Sequence, residues 1–278
     1  MTKFLEIEGG RLAYDVAGEG PLVVLAPGMG NGRESYRSLA ALLVDAGYRV
    51  ATADMRGHGE SSLDWPSYTR TDVADDLLAL VRHLGGPAVI AGHSFSGGAA
   101  TIAAALAPDL VSAVVEIAPF TRAQKPDLGG LLRNGRHRKG MTLLMGACML
   151  RSVKLWRRYL DQAYPGARPA GYEAYMSALE AALSRPGRMA VVGTMGMSAP
   201  TDAGAQLATL RVPALVLMGT LDPDWADPEA EAEGVVAGMP AGLGTVVMVE
   251  GAGHYPHTQF PEEVAQVMLP FLKEHARG

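Results

Sequence analysis

With 278 residues, 48% of them hydrophobic and 19% charged, the chain has the size and balance of one large domain, or of a core carrying a modest insertion. A net charge of -5 and a pI near 5.8 argue against a general nucleic-acid binder, which would present a basic stripe. The one basic cluster, RNGRHRK at Arg133 to Lys139, reads as a solvated turn in a Gly-containing loop.

A single cysteine, Cys148, rules out a disulfide within the chain or a cysteine metal cluster. Its apolar surroundings, LLMGACML, suit buried packing rather than catalysis. The opening MTKFLEIEGGRL lacks the apolar centre of a signal peptide, and no run reaches the length of a membrane span. A cytoplasmic protein without membrane insertion is the expectation.

In chain order, Phe4–Ile7 and Arg11–Val16 form a hairpin pattern around Glu8-Gly9-Gly10, and Pro21–Ala26 is a fully apolar strand ending in Pro27-Gly28-Met29-Gly30. A helix over Glu34–Asp45 closes at Gly47, strand Tyr48–Ala53 follows, and Thr71–Leu84 is an amphipathic helix. Strand Pro87–Ala91, helix Phe95–Ala107 and strand Val111–Ile117 continue the alternation. From about Phe120 to Ser198 the strands stop and the chain reads as helical, loop-rich and heavy in Met. Alternation resumes with strand Val212–Met218, helix Glu229–Ala237, strand Thr245–Glu250 and helix Pro261–His275. This rhythm is that of an α/β protein with a mostly parallel sheet, interrupted by a helical insertion.

The strongest chemical signal is Gly92-His93-Ser94-Phe95-Ser96-Gly97, between an expected strand and an expected helix. A sharp strand–turn–helix needs small residues two positions either side of an exposed nucleophile; Gly92 meets this, and Ser96 stands where Gly is usual. Acyl transfer also needs donors for an oxyanion, and the backbone N–H groups of Met29 and Phe95 are the natural pair. Serine needs a base, and His254 in the GAGHYPH loop after the last strand is the candidate, with His257 as fallback. His93 reads as packing, while His83, His137 and His275 sit in surface-like contexts. The base needs an anion to orient it; Asp222 in GTLDP is favoured over Asp224, Asp227 and the more distant Glu116.

Together with Asp54-Met55-Arg56-Gly57-His58-Gly59-Glu60-Ser61, these motifs resemble the α/β-hydrolase superfamily, in particular its small cap-bearing, esterase-like members. The resemblance covers essentially the whole chain outside the insertion. It implies a core of residues 1–119 and 200–278, and a helical cap or lid of residues 120–199 inserted after the sixth strand. It also implies a Ser94–His254–Asp222 triad, an oxyanion hole at Met29 and Phe95, a structural brace in the Asp54–Ser61 loop, and no metal or organic cofactor.

The cap carries Met141, Met145, Met149, Met176, Met189, Met195 and Met197, with Leu143, Leu144, Leu150, Leu155 and Trp156, which suits a small-molecule substrate with an apolar moiety. Arg151 and Arg188 are candidates for a substrate carboxylate, though solvent-facing placement fits each better. The expected reaction is hydrolysis of a small to medium carboxylic ester. The same triad also serves carbon–carbon bond hydrolysis, perhydrolysis, thioester cleavage or rearrangement in related scaffolds. A ligand receptor with a slow triad is a further alternative, to which Ser96 points. Epoxide and haloalkane hydrolysis are disfavoured, because those relatives carry Asp at the position of Ser94.

Overall fold

The computed structural model describes residues 2–123 and 128–277. Strands β1 (Lys3–Ile7) and β2 (Gly10–Ala17) precede β3 (Leu22–Ala26), α1 (Arg37–Asp45), β4 (Arg49–Ala53), α2 (Arg70–His83), β5 (Ala88–His93), α3 (Phe95–Leu106) and β6 (Val111–Ile117). Five helices follow: α4 (Leu128–Arg133), α5 (Gly135–Leu150), α6 (Val153–Ala163), α7 (Tyr172–Leu183) and α8 (Arg188–Gly196). The chain then forms α9 (Thr201–Gln206), β7 (Ala214–Gly219), α10 (Pro228–Ala237), β8 (Gly244–Val249), α11 (Pro256–Gln259) and α12 (Pro261–His275).

The eight strands form one sheet in the order β1-β2-β4-β3-β5-β6-β7-β8. The pairs β1/β2 and β2/β4 are antiparallel and all others parallel. Every residue of β3, β5, β6 and β7 is buried, because helices cover both faces of a parallel sheet. Side chains alternate across it. Val24, Ile90, Val114 and Val216 pack with α2, α3 and α10, while Val23, Leu25, Val89 and Leu217 pack with α1 and α12. This is the α/β architecture expected, with the helical cap inserted after the sixth strand.

Two local expectations change. The helix expected from Glu34 begins at Arg37, preceded by a 3-10 turn at Arg33–Tyr36. Arg33 anchors that turn through ion pairs with Asp15, Asp54 and Glu60. The basic cluster is largely helical rather than a loop: Asn134 caps α5 by accepting from the amides of Arg136 and His137, so Gly135 occupies a first-turn position where it costs little. Arg133, Arg138 and Lys139 are nonetheless exposed. Of the segment expected to be helical, residues 124–127 lie outside the described residues.

The cap has its own core, built from Leu144, Trp156, Tyr159, Tyr164, Met176 and Met189 among others, and Cys148 is buried within it. Trp156 also seats the cap on the sheet: a Cβ at Gly30 would lie 2.3 Å from its ring. Among the described residues no helix is long and apolar enough to cross a membrane. Replacing Trp156 with Ala should lower stability by about 3–5 kcal/mol, as for other large-to-small changes in cores. Urea unfolding measures this, and a loss of under about 1 kcal/mol would contradict the packing role given to Trp156.

Candidate active site

Strand β5 runs into α3 through Ser94, whose backbone sits at φ 54 and ψ -116. A non-glycine residue at positive φ is strained by about 1–3 kcal/mol and persists only where its surroundings enforce it. Here they do. The Ser94 amide donates to Ile117 O at 2.9 Å, and its carbonyl accepts from the amides of Gly97 and Phe120. A Cβ at Gly92 would lie 2.1 Å from the Ser96 carbonyl oxygen, so only glycine lets the turn close. Ser96, the departure from the usual glycine, is buried and donates its hydroxyl to Pro27 O at 2.6 Å. It thereby ties the turn to the loop after β3.

That loop carries Met29. Among the described residues neither the Met29 nor the Phe95 amide has a hydrogen-bond acceptor. Phe95 is the first residue of α3, where orphan amides and the helix dipole favour negative charge. The Gly28–Gly30 turn is held from below: the Gly30 amide donates to His58 Nε2 at 2.8 Å, and His58 Nδ1 donates to Arg56 O at 3.0 Å. Burial pushes the His58 pKa down to about 4, so the ring stays neutral and can accept. The rest of the Asp54–Ser61 loop is braced in the same way. Asp54 accepts from the amides of Arg33 and Glu60, Ser61 Oγ accepts from the Ala13 amide, and Arg56 forks onto Asp76 at 2.8 and 2.7 Å.

His254 follows β8 and is buried. Its Nδ1 donates to Asp222 Oδ2 at 2.9 Å and lies 3.4 Å from Asp224. Asp224 is fixed in turn, accepting from Tyr159 Oη at 2.7 Å, while its amide donates to Asp222 Oδ1. His93, next to Ser94 in the chain, donates Nε2–H to the His254 carbonyl at 2.7 Å, and their rings are 4.8 Å apart. Phe120 binds the Ser94 carbonyl through its amide and lies edge-on to the His254 ring at 6.0 Å. The Ser94 hydroxyl itself makes no hydrogen bond among the described residues in this conformation. Such bonds commonly tighten only when substrate is bound.

The other candidates go elsewhere. His257 stacks on Tyr36 with centroids 4.5 Å apart, its pKa driven down to about 3 by burial and by His254. Asp227 caps α10, and Glu116 is engaged by Thr101 and Thr121 rather than by a histidine. His137 is a correction: expected at the surface, it is buried, because α5 docks on the loop after β7 and its Nδ1 donates to Pro223 O. Arg188 is another, since both terminal nitrogens bind Ser61 O at 3.2 Å; Arg151 is exposed. Asp222, Asp224 and His254 offer ligand atoms within 4.8 Å of one another, a set that could hold a cation. Their mutual hydrogen bonds already account for this spacing.

Ser94, Phe95 and Met29 line a cavity of about 730 Å³ beneath the cap. Met141, Leu144, Met145 and Met195 contribute apolar wall, whereas Met176 and Met189 pack the cap core and Met149, Leu150 and Met197 are exposed. Among the lining residues that sequence reasoning missed are Arg70, Phe120, Arg122 and Trp225. None lies in a recognisable motif, and Arg70 meets the cavity only because the chain after α8 folds against it, accepting its hydrogen bond at Ser198.

Residues 23–267 match the alpha/beta hydrolase family. The chain is 27% identical to epoxide hydrolase A of Mycobacterium tuberculosis, covering 97% of this chain and 96% of that relative. It is 36% identical over 105 residues to proline iminopeptidase PfmaB of Pestalotiopsis fici, a match that covers 35% of this chain and spans only 36% of that relative. Among solved structures it is similar to an esterase from Thermogutta terrifontis, with a TM-score of 0.74, 24% identity and 98% of each chain covered. That likeness concerns the fold.

The His254 pair sets a pH dependence. Burial alone would lower the His254 pKa, but Asp222 and Asp224 outweigh it and push it up to about 9. Burial and Asp222 raise Asp224 to about 6, so it is ionised wherever His254 titrates. A reaction that uses His254 as base needs the neutral ring, and kcat/KM should therefore climb with pH toward about 9. Asp224→Asn removes one stabilising charge and should move that limb to lower pH by about one unit. A pH–rate profile measures the shift; an unmoved limb would show that Asp224 does not act on His254.

Proposed function

The chain belongs to the alpha/beta hydrolase family, and within it we propose a serine hydrolase that cleaves a small to medium, largely apolar carboxylic ester or related acyl compound. Ser94 attacks the acyl carbon while His254 takes its proton, and Asp222 holds His254 in the tautomer that accepts at Nε2. The carbonyl oxygen becomes an oxyanion held by the Met29 and Phe95 amides. His254 then protonates the leaving group, and water, activated by the same ring, releases the acid from Ser94. No step of this cycle calls on a metal or organic cofactor. Residues 120–199 serve as the lid of a core formed by residues 1–119 and 200–278.

The observation that carries this reading is the strained Ser94 turn, which shares one cavity with two amides that have no acceptor among the described residues. A turn that costs energy, beside donors left without partners, suits a site in which negative charge develops. The apolar wall supports a hydrocarbon substituent on the substrate. Similarity to an epoxide hydrolase does not redirect the reading, because Ser94 supplies a hydroxyl where the resemblance would require a carboxylate nucleophile.

Release of p-nitrophenol from esters of increasing acyl length tests the reaction directly. Turnover should be present and should peak at a chain length that the cavity accommodates. Ser94→Ala should reduce kcat/KM by at least about a thousandfold with the fold intact. Equal turnover by the folded Ser94→Ala protein would overturn the assignment.

A further inference from the structure

Among the described residues three arginines are buried: Arg33, Arg56 and Arg70. The first two have carboxylate partners, Arg33 in Asp15, Asp54 and Glu60, and Arg56 in Asp72 and Asp76. Arg70, at 3% exposure, forms no ion pair among the described residues, and Asp202 acts on it only from beyond ion-pair distance. Its Nε donates to Phe120 O at 3.1 Å, and Nη1 makes two long bonds to Ser198, 3.2 Å to Oγ and 3.4 Å to the carbonyl. Nη2 makes no hydrogen bond among the described residues and is not sealed from solvent. The guanidinium lies 4.2 Å from the centre of the Phe95 ring, and Arg70 lines the cavity that holds Ser94.

A buried cation without an anion in contact is costly, and proteins pair such groups or keep them for a ligand. Burial has lowered the Arg70 pKa to about 10, which leaves it fully charged at neutral pH. The other arginine on the cavity wall, Arg122, is already neutralised by Glu231 at 2.6 Å. Arg70 is therefore the buried arginine of the cavity wall that has no carboxylate within ion-pair distance among the described residues, with a planar fork shaped for one.

We propose that Arg70 is the specificity-determining residue of this site and that it binds a carboxylate on the substrate, making the preferred substrate an acyl compound whose apolar chain carries a free acid. The proposal deepens the acyl-hydrolase reading of the same cavity and rests on it for the word substrate. Carboxylate capture at Arg70 can nevertheless be measured without any turnover.

Calorimetric binding of heptanoate and heptanamide to the full chain separates charge from chain length. The parent protein should bind the acid about tenfold or more tightly than the amide, the ratio that a charged hydrogen bond supplies. Arg70→Met, which keeps the bulk and removes the charge, should bring that ratio to about one. Arg70→Lys keeps a charge without the fork, and should cut the ratio several-fold if the Met variant does not fold. Equal binding of acid and amide by the parent, or absence of binding by both, would overturn the proposal. A preference that survives both substitutions would also overturn it, by assigning the carboxylate to the Met29 and Phe95 amides. The two readings fail separately: Ser94-dependent ester turnover without acid preference removes only the Arg70 proposal. Acid preference without Ser94-dependent turnover removes only the hydrolase chemistry.

Discussion

A single close approach of backbone to backbone governs the site: Gly92 faces the Ser96 carbonyl with no room for a Cβ between them. That closure forces Ser94 into positive φ and starts α3 immediately after it. It also brings the Ser96 hydroxyl to Pro27, which sets the distance between the elbow and the Gly28–Gly30 turn. Strain of about 1–3 kcal/mol at one residue is tolerable, because the turn is held by backbone hydrogen bonds on both sides, to Ile117 and to Phe120. A Cβ at Gly28 would meet Ser94 Cβ at 2.9 Å, so the two loops touch without side chains to spare. The placement of Ser94 beside the Gly28–Gly30 turn is thus fixed by the ends of the sheet's central strands.

The cap is more than a cover. Helix α6 ends against the His254 loop, where the His254 amide donates to Ala163 O at 3.0 Å and a Cβ at Gly253 would lie 2.2 Å from the same oxygen. Tyr159 of that helix binds Asp224, and α5 rests on Pro223, which Gly140 approaches too closely for any side chain. Gln259 adds two bonds, from Nε2 to Pro165 O and Ala167 O at 2.9 Å each. The insertion therefore grips both loops that carry Asp222 and His254. Changes in cap packing should reach the His254 pair through these contacts, without any contact to the substrate.

Much of this was legible in the residues. Four apolar strands with intervening amphipathic helices specify a parallel sheet, because only burial on both faces suits such runs. Ser94, His254 and Asp222 could be singled out as candidates because each follows the end of a strand, and the structure brings His254 and Asp222 within 2.9 Å of each other. The unreadable parts share a cause: they depend on what the cap touches. His137 looks like part of a solvated basic run until α5 docks on Pro223. Arg188 looks like a free cation until it closes on Ser61, and Arg70 lies at the start of α2 with nothing local to mark it. Asp224 could be placed beside Asp222, but its contact with Tyr159 comes from a residue 65 positions earlier in the chain.

The most direct test of the central claim is covalent labelling of the parent protein with a fluorophosphonate, followed by mass spectrometry of the digested chain. Activated serine displaces fluoride and keeps the phosphonyl group, so the reagent reports nucleophile and oxyanion donors together. The account predicts a single adduct on Ser94, formed faster as pH rises through the His254 titration. An adduct on another residue, or none on folded protein, would contradict it.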